Sequence, residues 1–245
     1  MKLNNKIVVI TGVSKGIGKA CALEFIKKGA IVYGIDIDEE NGKKLENSIP
    51  NNFTFIKADI SKEEQIEKAK NIILKEKNGI DVLINNAARQ TVANFWNTRI
   101  EDFRKVIECN LIGTFICSSV LGKEINTGGK IINMLSVHSK IVRKDKYAYD
   151  ASKAGIEMLT KEMALDFADR NINVLGISYG ACNTPMNNDW INNIEKKKET
   201  MKKIPIKWIA EPEEIAKFVL VILEIFSDYT TGNVFTIDGG RSLIG

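Results

Sequence analysis

The stretch TGVSKGIG, residues 11–18, lies between a short β-branched run at 7–10 and a helix-like segment at 19–28. Glycines in a strand-to-helix turn let the backbone bend sharply and approach a pyrophosphate, and the helix N-terminus offers free N–H donors. Three glycines alone are a weak signal, because any tight turn between a strand and a helix favours glycine. With a strand before it and a helix after it, the stretch predicts a dinucleotide-binding turn at the start of an α/β fold.

Short β-branched runs recur along the chain and alternate with segments of helical apolar spacing. The runs lie at 7–10, 31–35, 53–56, 82–84, 130–134, 173–177 and 234–237, and the helical segments include 63–77, 156–168 and 212–226. Strands that alternate with helices favour a parallel sheet covered by helices on both faces and joined by right-handed crossovers. The chain has only four prolines and no linker rich in Gly and Ser, so 1–245 is predicted to form a single domain.

Composition argues against several classes of protein. Apolar residues make up 44% of the 245 residues, enough for a sizeable core. The net charge of +4 comes from 35 basic and 31 acidic residues mixed along the chain, which argues against nucleic-acid binding by charge alone. No apolar run approaches the ~20 residues of a membrane span. The run at 7–10 is too short for a signal peptide.

The cysteines and the single histidine argue against a metal site. Cys21, Cys109, Cys117 and Cys182 show no metal-binding spacing, and reduced thiols are typical of a cytoplasmic protein. His138 is the only histidine, so a His-based zinc site and a Ser-His-Asp hydrolase both fit the chain poorly. We therefore expect a cytoplasmic protein with no bound metal and no membrane partner.

Asp36 ends the predicted second strand, 24 residues after Gly12. A carboxylate there can accept both hydroxyls of an adenosine ribose and repels a 2′-phosphate, which favours NAD(H) over NADP(H). In the alternative reading, Asp36 only starts the next helix together with Asp38 and Glu39. Lys15 argues against a preference for NAD(H), because a cation near the phosphates tolerates the extra charge of NADP(H). One contact from a flexible side chain should nevertheless affect cofactor preference less than the carboxylate of Asp36 at the ribose.

The sequence YAYDASKAG, residues 147–155, offers two tyrosines to one lysine. Tyr149 precedes Lys153 by four residues, whereas Tyr147 precedes it by six. Side chains four apart on a helix lie above one another, so Tyr149 is the partner if this stretch is helical. Tyr147 is then a pocket or packing residue.

A tyrosine beside a lysine fits the removal of a hydroxyl proton. A free tyrosine has a pKa near ~10 and is a poor base at neutral pH, but a nearby ammonium group favours the phenolate. The predicted roles are acid/base catalysis by Tyr149 and lowering of its pKa by Lys153. Ser136 ends the predicted fifth strand, where its hydroxyl can hold the substrate oxygen. As alternatives, Ser136 is an ordinary strand-end residue and Asn110 is only a polar residue that interrupts a helix.

The segment 183–206 departs from the regular alternation, because it is polar and charged with few apolar members. It fits either a solvated helical excursion or a mobile lid over a site. Its length between two regular units favours the lid, which we place at 185–206.

Taken together, the motifs resemble the short-chain dehydrogenase/reductase family. The matching residues, in order and spacing, are TGVSKGIG at 11–18, Asp59-Ile60, NNAA at 85–88, Asn110, Ser136, Tyr149-xxx-Lys153 and TGNVFTIDGG at 231–240. The resemblance spans nearly the whole chain. It implies a single-domain Rossmann fold with seven parallel strands, an oxidoreductase that acts on CH–OH groups with NAD(P)(H), and pairing into a homotetramer or homodimer.

The resemblance also implies which residues hold the cofactor. These are Gly12, Ser14, Lys15, Gly16, Ile17, Gly18, Asp36, Ile37, Asp59, Ile60, Asn86, Ala87, Ala88, Tyr149, Lys153, Gly180, Cys182 and Thr184. Within this set Asp59 and Ile60 would hold the adenine, and Thr184 would reach the nicotinamide carboxamide. Asn110 would position a water that links Lys153 to solvent as a proton relay.

Two positions depart from the family pattern. Tyr179-Gly180 stands where the family usually has Pro-Gly, which leaves the outline of the substrate pocket beside the nicotinamide open. Ala88 replaces a usual glycine, and this change should be tolerated if its φ is negative.

The substrate is expected to be a small polar alcohol or ketone. The loops 133–138 and 183–187 look most like those of the sugar dehydrogenases, and the candidate substrate residues are Ser136, His138, Tyr149 and Trp190. Asn94, Trp96, Asn183 and Asn187 add to the impression of a hydrogen-bonding pocket with a stacking face. His138 also fits a simple surface loop.

Three other functions are consistent with parts of the pattern. A 3-oxoacyl-[acyl-carrier-protein] reductase would want NADPH and a basic docking patch, and Asp36 argues against it. A hydroxysteroid dehydrogenase would want a more apolar lid than 187–203 offers. A regulator that senses NAD(H) without turnover would require a broken catalytic set, and this set is intact.

Overall fold

The computed structural model describes residues 1–49, 51–225 and 227–244. Its strands form one parallel sheet in the order β3-β2-β1-β4-β5-β6-β7. The bounds are Ile7–Thr11 for β1, Ile31–Asp36 for β2, Phe53–Lys57 for β3, Ile80–Asn85 for β4, Ile125–Met134 for β5, Asn173–Tyr179 for β6 and Val234–Ile237 for β7. The predicted seven-stranded Rossmann sheet is thereby confirmed.

Helices connect the strands and cover both faces of the sheet. They are α1 (Gly16–Lys27), α2 (Glu39–Ser48), α3 (Glu63–Glu76), α4 (Ile100–Ile107), α5 (Gly113–Leu121), α6 (Tyr147–Ala168), α7 (Asn188–Ile191), α8 (Ile194–Lys202) and α9 (Pro212–Ile225). A five-residue π-type turn, Glu108–Ile112, joins α4 to α5. The last residue of the predicted helix at 212–226 lies outside the described residues.

The two faces of β1 show how the sheet is buried on both sides. Val8 and Ile10 belong to an apolar cluster with residues of α1 and α9, while Ile7 and Val9 belong to a second cluster under α3 and α5. Successive side chains of a strand point to opposite faces, so an uninterrupted apolar strand is expected where both faces are covered.

Strand ends differ from the predictions by one or more residues. β1 and β3 each extend one residue past the apolar run, to Thr11 and Lys57, and β2 ends at Asp36 as expected. Asp36 pairs with Lys57 in the parallel register, which shows that backbone pairing continues past the apolar run. β5 begins at Ile125, before the predicted 130, and the apolar pattern missed this start because residues 126–129 are polar or glycine.

Among the described residues, one continuous helical stretch, Ile100–Glu124, is long and apolar enough to cross a membrane by length and composition. Half of its most apolar window is buried inside the fold. Core helices of globular domains meet the same criteria, so this stretch is a weak indication of a membrane span.

The strand order reverses between β1 and β4, since β2 and β3 lie on one side of β1 and β4 to β7 lie on the other. In open parallel sheets, ligands bind in the crevice outside the carboxyl ends of the strands at such a reversal. The sheet therefore brings the residues that follow β1, β2, β4, β5 and β6 to one edge.

Candidate active site

A cleft of about 1090 Å³ opens at this edge of the sheet. The predicted site residues that line it are Gly12, Ser14, Lys15, Gly16, Ile17, Asp36, Ile37, Asp59, Ile60, Asn86, Ala87, Ala88, Ser136, His138, Tyr149, Gly180, Thr184 and Trp190. Gly18, Asn110, Lys153 and Cys182 do not line it and lie behind its walls. The sheet thus brings together residues from most of the chain.

The glycine-rich turn after β1 is tightly packed. Gly12 has φ +69°, and a Cβ atom there would lie 2.7 Å from the Cα of Ala87. A Cβ atom at Gly18 would lie 2.1 Å from the carbonyl oxygen of Gly12. Both positions therefore require glycine for steric reasons.

The helix that follows this turn has no cap of its own. Lys15, at the N-cap of α1, makes no side-chain capping bond, and the first turn has no acidic residue. Free N–H groups at a helix N-terminus favour an anion, and a pyrophosphate fits this requirement.

Asp36 and Asp38 have separate roles at the end of β2. The Asp36 carboxylate accepts the Ser14 N–H at 2.9 Å and the Asp38 N–H at 3.0 Å, and it faces the cleft. Asp38 is the residue that caps α2, accepting from the Asn41 N–H at 3.2 Å. Lys15 forms an ion pair with Asp38 at 2.6 Å, and this hydrogen bond holds the pKa of Asp38 at about 2. Lys15 is therefore already paired with a carboxylate.

Other predicted cofactor residues build the walls of the cleft. The Asn86 side chain donates to the carbonyl oxygens of Thr11 and Gly12, both at 3.0 Å, and so ties the end of β4 to the glycine-rich turn. Asp59 accepts from the N–H and hydroxyl of Ser61 at 2.9 and 2.8 Å. Ala88 is absent from the residues with positive φ, so the condition for replacing glycine is met.

Cys182 lies apart from the cleft. Its thiol is buried, burial raises its pKa to about 12, and its backbone bridges to Ala210. Its carbonyl oxygen accepts from the Asn187 side chain at 3.0 Å. Cys182 therefore supports the segment that begins at Thr184 from behind.

α6 begins at Tyr147, so the Tyr149 to Lys153 spacing is helical. Tyr149 is 4% exposed, and the Lys153 Nζ lies 5.6 Å from its ring centroid. Lys153 donates to the Met134 carbonyl oxygen at 2.6 Å, and burial lowers its pKa to about 8. Tyr147 is 39% exposed and packs edge-on against Phe95 at 5.5 Å. The geometry places Tyr149, not Tyr147, beside the lysine.

The environment of the Tyr149 phenol differs from the expectation in one respect. Burial raises its pKa, and hydrogen bonds with the side chains of Tyr179 and Ser136 lower it. Lys153 is not among the groups that lower the pKa of Tyr149 in this structure. The reason is that a lysine with a pKa of about 8 is largely neutral at the pH where a buried phenol would ionise.

Ser136 lies two residues beyond the end of β5, not within the strand as predicted. It caps a short 3₁₀ turn, Val137–Ser139, and its hydroxyl oxygen accepts the His138 N–H at 3.2 Å. The His138 Nδ1 lies 3.1 Å from the Ile141 carbonyl oxygen. Burial lowers the pKa of His138 to about 4, so its ring is neutral at pH 7.

Asn110 is fully buried in the π-type turn. Its amide donates to the Arg89 carbonyl oxygen and the Ser152 hydroxyl, both at 3.0 Å, and its Oδ1 accepts the Arg89 N–H at 2.8 Å. It thus links the loop after β4 to α6, the helix of Tyr149.

Sequence reasoning missed many polar side chains that line the cleft, among them Gln90, Arg143 and Lys146. Lys146 is buried, and its Nζ lies 5.5 Å from the Tyr149 ring centroid on the cleft side. The sequence feature that could have indicated Lys146 is its position three residues before Tyr149. For Arg143 and Gln90, which lie in loops, the sequence offered none.

A family model described as Enoyl-(Acyl carrier protein) reductase matches residues 12–242. The chain belongs to the short-chain dehydrogenase/reductase family. This confirms the resemblance read from the motifs.

The names of similar members of the short-chain dehydrogenase/reductase family indicate different alcohol substrates. One is the 3beta-hydroxysteroid dehydrogenase 1 of Eggerthella lenta, 34% identical, with 98% of this chain and 95% of that protein covered. Another is the Glucose 1-dehydrogenase 2 of Bacillus subtilis, 34% identical, with 98% and 96% covered. A crystal structure of a Glucose/ribitol dehydrogenase from Brucella melitensis is 26% identical, with a TM-score of 0.93 and 98% of both chains covered.

As a short-chain dehydrogenase/reductase, the chain is an oxidoreductase of CH–OH groups, in a family whose dehydrogenases use nicotinamide cofactors. The names of the relatives divide between sugars and a steroid, so they leave the substrate of this chain open.

Proposed function

We propose that the chain transfers a hydride between NAD(H) and a secondary alcohol or ketone, with a small polar molecule as substrate. The observation that carries the proposal is the buried Tyr149 phenol at the cleft, bonded to Ser136 and Tyr179 and backed by Lys153. The tight glycine turn and the uncapped α1 support dinucleotide binding at the other end of the same cleft.

Each catalytic side chain has a distinct task. A bound nicotinamide supplies or accepts the hydride. In oxidation, ionised Tyr149 takes the proton of the alcohol hydroxyl, and in reduction it returns that proton to the carbonyl oxygen. Ser136 holds the substrate oxygen. Lys153 lies with its Nζ 5.6 Å from the Tyr149 ring centroid, and it would favour the phenolate only where bound cofactor and substrate let the phenol ionise below the lysine pKa of about 8. Asn110 positions the water that links Lys153 to solvent.

Asp36 supports NAD(H) as the cofactor. Its carboxylate faces the cleft at the end of β2, and Lys15 is bound to Asp38 and so is not free for a 2′-phosphate. A carboxylate at the ribose accepts the hydroxyls of NAD(H) and repels the phosphate of NADP(H).

A substrate panel tests the function. We expect absorbance of reduced nicotinamide to change with a small polar alcohol, for which sugars, polyols and their acids are tested, and not with acetoacetyl thioesters or hydroxysteroids. A hydroxysteroid dehydrogenase has one specific point in its favour, the 34% identity to the Eggerthella lenta enzyme. If hydroxysteroids alone were turned over, the chain would be a hydroxysteroid dehydrogenase and the proposed small polar substrate would be wrong. NADH binding without any turnover would favour the non-catalytic sensor.

Tyr179 offers a test by pH. The Tyr179 hydrogen bond lowers the pKa of Tyr149, so Tyr179→Phe should raise that pKa. The rising limb of kcat for alcohol oxidation should then move about one unit to higher pH, because a hydrogen bond to a charged group is worth about 1.5–3 kcal/mol.

The matched control for this measurement is Tyr229→Phe, because Tyr229 is fully exposed. Its pH profile should equal that of the wild type. An unmoved limb in Tyr179→Phe would show that the contact does not act on the reacting phenol.

We propose that 185–206 is a lid with two unequal halves. α7 is anchored, since Trp190 is buried and donates to the Asn187 side chain at 3.1 Å, and Gln90 donates to the Met186 carbonyl oxygen at 2.6 Å. α8 has no buried residue. Ordering α8 therefore gains little burial against its conformational entropy.

Hydrogen exchange tests the lid. Amides of α8 should exchange fastest among the long segments of the free protein and gain protection when NADH and a substrate analogue bind. Trp190 fluorescence, in variants without Trp96 and Trp208, should follow the same change. Equal protection with and without ligands would make the segment a fixed wall.

We propose a homotetramer or homodimer that pairs through α5 and α6. The two helices expose Phe115, Met158 and Leu165, which an interface between copies would cover. Light scattering should return a multiple of the 27.3 kDa chain mass at micromolar concentration. A mass equal to one chain would contradict the assembly.

A further inference from the structure

The substrate end of the cleft has an excess of positive charge. The part of the lining contributed by residues after 135 has six basic side chains and three acidic ones. A neutral sugar gains nothing from such an excess, whereas an anion gains from it in a partly dry cleft. Arg143 and Lys146 belong to this set and lie in the loop that follows Ser136.

Lys146 is buried beside the reacting group. It is 4% exposed, and its Nζ lies 5.5 Å from the Tyr149 ring centroid. Its hydrogen-bond partner in the structure is the Oε1 of Gln90, a neutral acceptor. Lys153 lies at a similar distance from the same ring but outside the cleft lining, so Lys146 is the lysine that a substrate can reach.

Arg143 is a second cationic side chain at this end of the cleft. Its guanidinium lies 5.5 Å from the Trp190 ring centroid, and its side chain is half-buried. Within the described residues, neither the Arg143 guanidinium nor the Lys146 ammonium group forms an ion pair with a carboxylate oxygen within 4.0 Å, although the Arg143 backbone N–H donates to the Asp150 carboxylate at 3.0 Å. The acidic groups that act on both do so through space, and they are Asp150 and Asp189.

Burial of these two cations is unfavourable in the absence of a ligand. Desolvation lowers the pKa of Lys146 to about 8 and also lowers that of Arg143. A buried charge without a paired, hydrogen-bonded partner destabilises the fold, and a bound anion removes that penalty. An arginine fork and an ammonium group are both good donors to a carboxylate.

We propose that Lys146 and Arg143 bind the carboxylate of the substrate, so that the substrate is a short hydroxy acid and its keto acid, not a neutral sugar. This rests on the function proposed above and specifies its substrate. The distance from Lys146 to Tyr149 places the carboxylate within a few bonds of the reacting carbon. Gln90 holds Lys146 and also donates to Met186 of the lid, which joins anion binding to closure.

The reaction stays balanced with a carboxylate present. In oxidation, the carbinol C–H bond breaks and its hydride goes to NAD⁺, while the O–H proton goes to Tyr149 and the C=O bond forms. The carboxylate takes no part in bond changes and serves only to orient the substrate.

The test compares acids with their neutral analogues. Hydroxypentanoates with the hydroxyl at the second, third or fourth carbon, and D-gluconate, are assayed with NAD⁺ beside the hydroxypentanamides and D-glucitol. The wild type should prefer at least one acid over its neutral analogue by about 10-fold or more in kcat/KM. Lys146→Met should lower kcat/KM for that acid by about 10- to 100-fold, mostly through KM, and leave the neutral analogue within about 3-fold.

Two further variants complete the test. Lys146→Arg keeps the charge and should keep most of the preference for acids. Lys140→Met removes a lysine from the same loop outside the cleft and should match the wild type, because Lys140 is exposed and pairs with Glu157. The Kd for NADH, measured by fluorescence, should be equal in all variants and shows that each one is folded.

The contrary outcomes separate the two proposals. Carboxylate binding would be overturned if the wild type turned over neutral analogues as well as acids. It would also be overturned if Lys146→Met lost equal activity with both kinds of substrate. Either result would leave the oxidoreductase proposal standing. NADH binding with no turnover of any acid or neutral alcohol would overturn both.

Discussion

Tyr149→Phe should lower kcat by about 10²- to 10⁴-fold, the range that a positioned acid/base group contributes. The phenylalanine ring keeps the shape of the buried side chain, so the fold around α6 should be unchanged. The lost hydroxyl is the group that Ser136 and Tyr179 contact, and its ring is the one that lies 5.6 Å from the Lys153 Nζ. The Kd for NADH should stay within a few-fold, because the phenol is an acid/base and not an anchor.

The matched control for this variant is Tyr147→Phe, two residues earlier in the same helix. Tyr147 packs on Phe95 outside the cleft, so its hydroxyl should be dispensable and most activity should remain. Steady-state kinetics and an NADH titration measure both effects. An equal loss in the two variants would mean that the reaction takes place elsewhere.

Asp36→Ala should shift the ratio of kcat/KM for NAD⁺ over NADP⁺ by about 100-fold or more towards NADP⁺. The carboxylate and a 2′-phosphate are like charges, and at an effective dielectric of ~20 two charges 4 Å apart repel by about 4 kcal/mol. NAD⁺ should also bind more weakly, since the variant removes the acceptor for the ribose hydroxyls. Part of the effect will come from the turn itself, because Asp36 also accepts the Ser14 N–H at 2.9 Å.

Glu39→Ala serves as the control for this prediction. Glu39 is an exposed carboxylate near Asp36 that pairs with Lys57 and does not line the cleft. Its cofactor ratio should equal that of the wild type. If the wild type already prefers NADP⁺, the role of Asp36 is refuted and Lys15 becomes a phosphate contact.

The parts of this protein that could be read from the sequence are those set by local rules. A parallel sheet needs apolar strands buried on both faces, so runs such as 7–10 predicted the strands well, apart from their polar ends. The pairing of Tyr149 with Lys153 follows from the pitch of a single helix. Gly18 is fixed by a local steric contact with the Gly12 carbonyl oxygen, whereas Gly12 is packed against Ala87 from the loop after β4.

The parts that could not be read depend on which strands become neighbours. Tyr179 reaches the Tyr149 phenol because β6 lies beside β5, and no spacing along the chain encodes that contact. The ion pair between Lys15 and Asp38 depends on the separation between β1 and β2. The burial of Lys146 depends on the loop after β4, which brings Gln90 to it. This burial is the reason for proposing an acid as substrate where the loops had suggested a sugar.

The uncapped start of α1 has a consequence for the lifetime of the protein in the cell. A helix end that relies on a ligand for its hydrogen-bond partners leaves part of the folding free energy to that ligand. Binding at 100 times Kd adds about 2.7 kcal/mol to the free energy of unfolding. Thermal melts with and without NADH would measure this difference. Molecules without cofactor should open more often and be degraded sooner by proteases, so that the abundance of the enzyme follows the size of the nicotinamide pool.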